Sequence, residues 1–233
     1  MRYDIHNAGF VHLKAHCADD LSVVNGARVS FAKESTVLGN SEEKLIEFLM
    51  REKHGSPFEH NYFRFHIKCP IFVAREWFRH RIGSFNEMSM RYHEPDLEFY
   101  IPDVDYFRTQ VGKPGAYSFE TISEPGLAEY MTNKLVLQYE DAQRLYEEML
   151  SRGVAKELAR VVLPVGTYTE FYWSINARSL MNFIALRNSE FAQKEIRDYA
   201  VAVEDCFKNV MPITHRAFIS QNRVADRKST RLN

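Results

Sequence analysis

The sequence predicts an α+β fold in which a mostly antiparallel sheet is covered by helices, with a helical subdomain spanning residues 124 to 162. Three observations predict it. Phe63, Phe65, Ile67 and Cys69 alternate strictly with Arg64, His66 and Lys68, the period of a half-buried strand; Val11, Leu13, Ala15 and Cys17 alternate too, and YTEFYWSIN (168–176) is strand-like. Between and after these stretches, apolar residues recur at helical spacing. Neither GxGxxG nor GxxxxGK[ST] occurs, so Rossmann and P-loop phosphate cradles are excluded.

Taken in order, the strand over 11–17 leaves His12 and His16 facing solvent; their spacing would suit a metal only on a helix. Asn40 and Glu43 form a capping-box pattern, Leu45, Ile46 and Leu49 make a helical stripe, and Gly55 with Pro57 ends it. After the strand over 63–69, closed by Pro70, IFVAREWFRHR returns to helical spacing until Gly83. Residues 102 to 118 carry Pro102, Gly112, Pro114 and Gly115 without periodicity and read as a long loop. A long helix from Pro125 to Arg152 shows the stripe Leu127, Met131, Leu135, Ala142, Leu145 and Met149, and Gly153 stops it. Shorter helices are expected over 155–162, 177–187 and 190–210. One domain over 1–220 accounts for the pattern. Residues 221–233 form a polar, positive tail, read as frayed chain or, alternatively, a nucleic-acid arm.

A chain of 233 residues with 45% hydrophobic and 26% charged residues is an ordinary globular composition. A body of this size buries roughly 70 to 75% of its unfolded surface and needs no disulfide or metal to fold. The formal charge of −1 argues against a nucleic-acid coat or a membrane-surface protein, so any anion site must be local. Cys17, Cys69 and Cys206 stand far apart without a CxxC. The first residues lack the apolar core of a signal peptide, and the longest apolar runs, such as Ile71 to Ala74, fall far short of the roughly 20 residues needed to span a bilayer. A cytoplasmic location is expected, with no membrane, nucleic-acid or metal partner.

Chemistry concentrates between Arg79 and Arg91. Four cations, Arg79, His80, Arg81 and Arg91, are interleaved with Ser84, Asn86, Glu87 and Ser89. Guanidinium forks match phosphate oxygens and the hydroxyl and amide groups add donors, a set suited to a nucleotide phosphate or pyrophosphate. The structural alternative is a solvated helix end whose arginines pair with acids such as Glu42, Glu43 and Glu47.

RHRIGSFNEMSMRY (79–92) resembles the signature of the flavin-dependent thymidylate synthases, RHR followed by seven residues and Ser. ARVSF (27–31), HGSPFEH (54–60), IFVAREWF (71–78), ARVVLP (159–164) and NARSLMNFIALR (176–187) extend the resemblance over most of the chain. It implies conversion of dUMP to dTMP with carbon from 5,10-methylenetetrahydrofolate and a hydride from FAD reduced by NADPH, in a homotetramer whose sites draw on several chains. It also implies FAD contacts at Ser30, His54, Ser56, Arg79, His80, Arg81, Asn86, Glu87, Asn176, Ala177, Arg178 and Asn182. dUMP contacts are implied at Glu76, Trp77, Phe78, Arg79, Glu87, Met88, Ser89, Met90, Arg91, Arg160 and Arg187. Arg187 would polarise the pyrimidine, and Ser89 would orient the nucleotide rather than attack it.

The three cysteines read as buried structural thiols, so ring activation without a covalent cysteine is expected. Phe171 and Trp173 read as core, whereas Trp77 is open between core and flavin stacking. His60 reads as a structural hydrogen-bonder. Three positions depart from the family pattern: Glu76 stands where glutamine is expected, Met90 where a small residue is usual, and Phe191 where a histidine is expected. A carboxylate at 76 would repel a phosphate unless an arginine pairs it or it faces the base. From other function classes, the alternatives are a non-catalytic single-stranded nucleic-acid or nucleotide-binding module and a flavoprotein with another acceptor.

Overall fold

In the computed structural model, residues 1–113 and 116–223 are described. Strands β1 (Arg2–Ile5), β2 (Gly9–Cys17), β3 (Tyr62–Pro70), β4 (Ser84–Glu87) and β7 (Tyr168–Asn176) form one sheet in the order β1-β2-β3-β7-β4. Every neighbouring pair in it is antiparallel, as the sequence predicts. A separate antiparallel ribbon joins β5 (Arg108–Lys113) to β6 (Ala116–Thr121).

The alternation over 63–69 holds: Phe63, Phe65, Ile67 and Cys69 are buried, and Phe171 and Trp173 of β7 continue the same face. On β2 the alternation breaks. The register shifts between Leu13 and Ala15, so Val11 and Leu13 face the core while Ala15 and Cys17 pair with Arg64 and Tyr62 on the outer face. Cys17 is therefore exposed rather than buried, whereas Cys69 and Cys206 are buried as expected. Helices α3 (Ile71–Trp77), α6 (Ala177–Arg187) and α7 (Lys194–Val210) cover the apolar face. Trp77 is fully buried against Phe171, Trp173, Phe183 and Tyr199, which settles its role as core.

Helix α1 (Asp20–Arg28), capped by the Asp19 carboxylate at 2.6 Å from the Ser22 N–H, was not anticipated from the sequence. Neither was α8 (Pro212–Ser220), whose first amides, from Ile213 and Thr214, donate to the Asp20 carboxylate at 2.9 and 2.8 Å. The cap of α2 (Asn40–Arg51) lies one residue earlier than predicted, with the Gly39 N–H donating to Glu42 at 3.1 Å, and the helix ends before Gly55 and Pro57. Helix α3 stops at Trp77 rather than running to Gly83.

Most of the expected loop over 102–118 is the β5–β6 ribbon. Both its faces are largely solvated, so no buried face imposes an apolar alternation. Pro114 and Gly115 lie outside the described residues. Helix α4 (Leu127–Ser151) is present, but Ala128, Tyr139 and Tyr146 are its buried residues, and Met131 and Leu145 of the predicted stripe are exposed. Tyr139 stacks on Phe99 at 4.7 Å. Short α5 (Lys156–Ala159) and a one-turn helix (Arg160–Val162) follow. No helix among the described residues is long and apolar enough to cross a membrane. The tail beyond residue 223 lies outside the described residues.

Candidate active site

Strand register brings many of the predicted flavin residues to one end of the sheet, though not Asn86, Glu87 or Asn182. Tyr62 pairs with Asn176 and Ser84 with Ser174, so the start of β3, the end of β7 and the start of β4 lie together. His54 and Ser56 precede β3, Asn176, Ala177 and Arg178 follow β7, and Arg79 and Arg81 lead into β4. The end of β2 reaches the same edge through the pairing of Cys17 with Tyr62; α1 follows it and leads into the turn bearing Ser30. The Asn176 carboxamide caps α6 by accepting the Ser179 N–H at 2.9 Å. Arg178 pairs with Glu59 and passes so close to Gly55 that a β-carbon there would lie 2.6 Å from its Nε.

The arginine turn is held from both sides. Buried Trp77 anchors its entry. At its exit, a β-carbon on Gly83 would stand 2.9 Å from Trp173 Nε1 and 3.1 Å from the Ser174 carbonyl, so glycine lets the chain pass into β4. Arg79 and Arg81 are exposed, but His80 points inward against Trp173 and Phe183 and is only 6% exposed. Burial, reinforced by the positive charge of Arg187, pushes the His80 imidazole down to about 4, so it is neutral near pH 7. Asn86 lies on the outer face beside Tyr172; Glu87 faces the core side and accepts a hydrogen bond from Thr169 at 2.8 Å.

At the opposite end, the Met88 N–H donates to the Glu170 carbonyl at 2.8 Å and a tight turn over Ser89–Tyr92 follows. The Ser89 hydroxyl accepts from the Arg91 N–H at 3.4 Å, a turn-forming role. Beyond it opens a cavity of about 400 Å³ lined by Arg75, Met90, Glu157 and Arg160 among others. Arg91 reaches Glu157 at 3.8 Å. Arg75 and Arg160 thus line the cavity with a single carboxylate, Glu157, which Arg91 approaches, leaving cationic charge for an anion. Arg75 was missed in the sequence because one arginine in an amphipathic run looks like any solvent-facing helix position. Met90 is buried as a wall of this cavity, where its bulk shapes the space beside Arg160.

Arg187, at the end of α6, meets α3. Its Nη2 donates to the Glu76 carbonyl at 3.2 Å and its Nη1 lies 3.6 Å from the Glu76 carboxylate, so the unexpected acid is paired. Phe78 packs edge-on against Phe85 and Phe171 at 4.9 Å. Phe191, in the loop between α6 and α7, is 80% exposed. Arg187 Nε, His80 Nε2 and the Asn182 carboxamide oxygen are buried without hydrogen-bond partners, a shortage of protein partners that a polar ligand fits. Among the described residues, no group of three or more His, Cys, Asp or Glu side chains is placed to hold a metal ion.

Residues 12–213 match the sequence profile of the family described as thymidylate synthase complementing protein. The chain belongs to the flavin-dependent thymidylate synthase family. It is 43% identical over 226 residues to the flavin-dependent thymidylate synthase of Thermosipho melanesiensis, covering 97% of each chain. To that of Tropheryma whipplei (strain TW08/27) it is 46% identical over 228 residues, covering 92% of this chain and 94% of the relative. The UMP/dUMP methylase PolB from Streptomyces cacaoi, solved with 5-Br dUMP, superposes with a TM-score of 0.86 at 40% identity, covering 96% of this chain and 100% of PolB. The PolB structure with 5-Br UMP gives 0.85 at 39% identity, covering 95% and 98%. The arginine turn, the α6 cap and the Arg187–Glu76 contact are therefore features of a flavin-dependent thymidylate synthase family member.

Proposed function

We propose that the protein methylates C5 of dUMP to give dTMP, with carbon from 5,10-methylenetetrahydrofolate and hydride from FAD reduced by NADPH, in the cytoplasm. The observation that carries this reading is a cavity lined by Arg75 and Arg160, with Arg91 reaching Glu157 of its wall, in a chain so similar to a UMP/dUMP methylase. In this reading those guanidinium groups hold the nucleotide phosphate, and Ser89 keeps the turn that presents Arg91. Ser30, His54, Ser56, Arg79, Arg81, Asn176 and Arg178 hold FAD at the other end of the sheet, with Asn86 and Asn182 completing the surround. FAD, when bound, supplies the carbon-transfer and hydride chemistry.

The protein's task is to make C5 of the pyrimidine nucleophilic. No cysteine lines the arginine cavity. Burial holds the Cys69 thiol well above its usual range and the Cys206 thiol at about 11, so neither supplies a thiolate near neutral pH. Arg187 instead stabilises the negative charge that builds on the pyrimidine, a case of electrostatic preorganisation. Neutral His80 behind it leaves the guanidinium as the cation at that position. Assembly as a homotetramer, with one domain per chain, is supported by the apolar side chains that α4 and the ribbon expose, including Phe119, Tyr130, Leu137 and Leu145.

Arg187→Ala tests the assignment. Methyl transfer is expected to fall by about 100-fold or more, the cost of losing a charge-stabilising donor, with FAD affinity within about threefold of wild type. Equal loss of both would make Arg187 a structural residue.

A further inference from the structure

Arg187 is incompletely engaged. Of its five N–H donors, one meets the Glu76 carbonyl at 3.2 Å; its Nε is buried without a partner, and the carboxylate stands at 3.6 Å, outside hydrogen-bond range. A closed bidentate fork would have satisfied two donors at once. Both side chains are largely shielded, Glu76 at 27% and Arg187 at 19% exposure, so their charges act on each other through little water.

We propose that Glu76 is a positioning residue that holds Arg187 in a loose ion pair and couples its release to uptake of a proton when an anionic pyrimidine nucleotide binds. The inference rests on the reading of Arg187 as a nucleotide contact. The groups facing the Glu76 carboxyl are Arg187 from α6 and Glu195 from α7, with buried His80 beyond Arg187. Burial raises the proton affinity of Glu76, Arg187 lowers it and Glu195 raises it again, with a net upward displacement. A pyrimidine nucleotide that draws the Arg187 guanidinium to its ring takes away the counter-charge that keeps Glu76 ionised, and its phosphate adds negative charge to the same site. By linkage, binding takes up a proton, and nucleotide affinity falls as pH rises through the titration of the carboxyl. A glutamine at this position has no such cost.

The test is calorimetric titration of the FAD-loaded protein with dUMP, from about pH 5 to about pH 8, for wild type, Glu76→Gln and Glu76→Asp; ionisation of the nucleotide phosphate is common to all and cancels in ratios. The Kd of wild type relative to Glu76→Gln is expected to rise from the acid to the alkaline end by roughly three- to tenfold, the range for one charge acting at partly screened distance. Glu76→Asp, which keeps the charge, is expected to follow wild type. A ratio to Glu76→Gln that stays flat, or a glutamine variant that binds more weakly throughout, overturns the inference. Failure of wild type to bind dUMP at any pH would instead overturn the reading of the site on which it rests.

Discussion

His80 shows how one side chain in a polar motif can serve structure while its neighbours face solvent. The segment RHR places Arg79 and Arg81 outward and turns the imidazole between Trp173 and Phe183, where burial and Arg187 hold it neutral down to about pH 4. Because its folded proton affinity lies below the ordinary 6.5, the unfolded chain binds the proton first, and stability falls as pH drops from about 6.5 to about 4. That displacement corresponds to on the order of 3 kcal/mol at full effect. Urea unfolding of wild type and His80→Gln at about pH 7 and about pH 4.5 should show the wild type losing more stability on acidification, by a large part of that amount. Equal losses would place the titrating group elsewhere. The density of cations and hydrogen bonders around RHR was legible in the sequence, but the inward turn was not: it depends on a pocket made by β7 and α6, which lie far along the chain. Arg75 was hidden for a related reason, since Arg160, which lines the same cavity, lies on another element.

At the scale of elements, the loop after α6 is tied to the C-terminal helices through one buried acid. The Glu204 carboxylate on α7 accepts from Asn188 at 2.5 Å, from His215 on α8 at 2.9 Å and from Arg223 at 2.7 Å. Burial alone would raise its proton affinity, but the His215 and Asn188 hydrogen bonds and the charge of Arg223 outweigh it and leave it lowered. Its contribution is therefore present above the ordinary carboxylate range and is lost as pH falls through the lowered folded value. Glu204→Gln is expected to cost about 1–3 kcal/mol in urea unfolding at neutral pH, with the deficit shrinking on acidification. A deficit independent of pH would mean that packing, not ionisation, sets it. Strong periodicity made β3, β7 and α6 readable from sequence. The break in β2 was not, because a bulge at residue 14 reverses the outlook of every later side chain without changing the alternation itself. The stripe on α4 misled because its buried positions are Tyr139 and Tyr146, whose contacts come from Phe99 and other parts of the fold.

For the whole molecule, the antiparallel sheet does the organising. Its register gathers Ser30, His54, Ser56, Arg81, Asn176 and Arg178 at one end, while Arg75, Met90, Arg91 and Arg160 meet at the other. Helices α3 and α6 bridge the two through Glu76 and Arg187. The resemblance supplied all of these positions except Arg75, and the register of the sheet explains how stretches so far apart in the chain come to share an end. The central claim is that flavin and uridylate are held together. The visible absorption spectrum of the purified protein at saturating FAD, recorded before and after addition of dUMP, tests it most directly. The account predicts a bound-flavin spectrum that dUMP perturbs; absence of flavin binding, or a bound flavin indifferent to saturating dUMP, would contradict it.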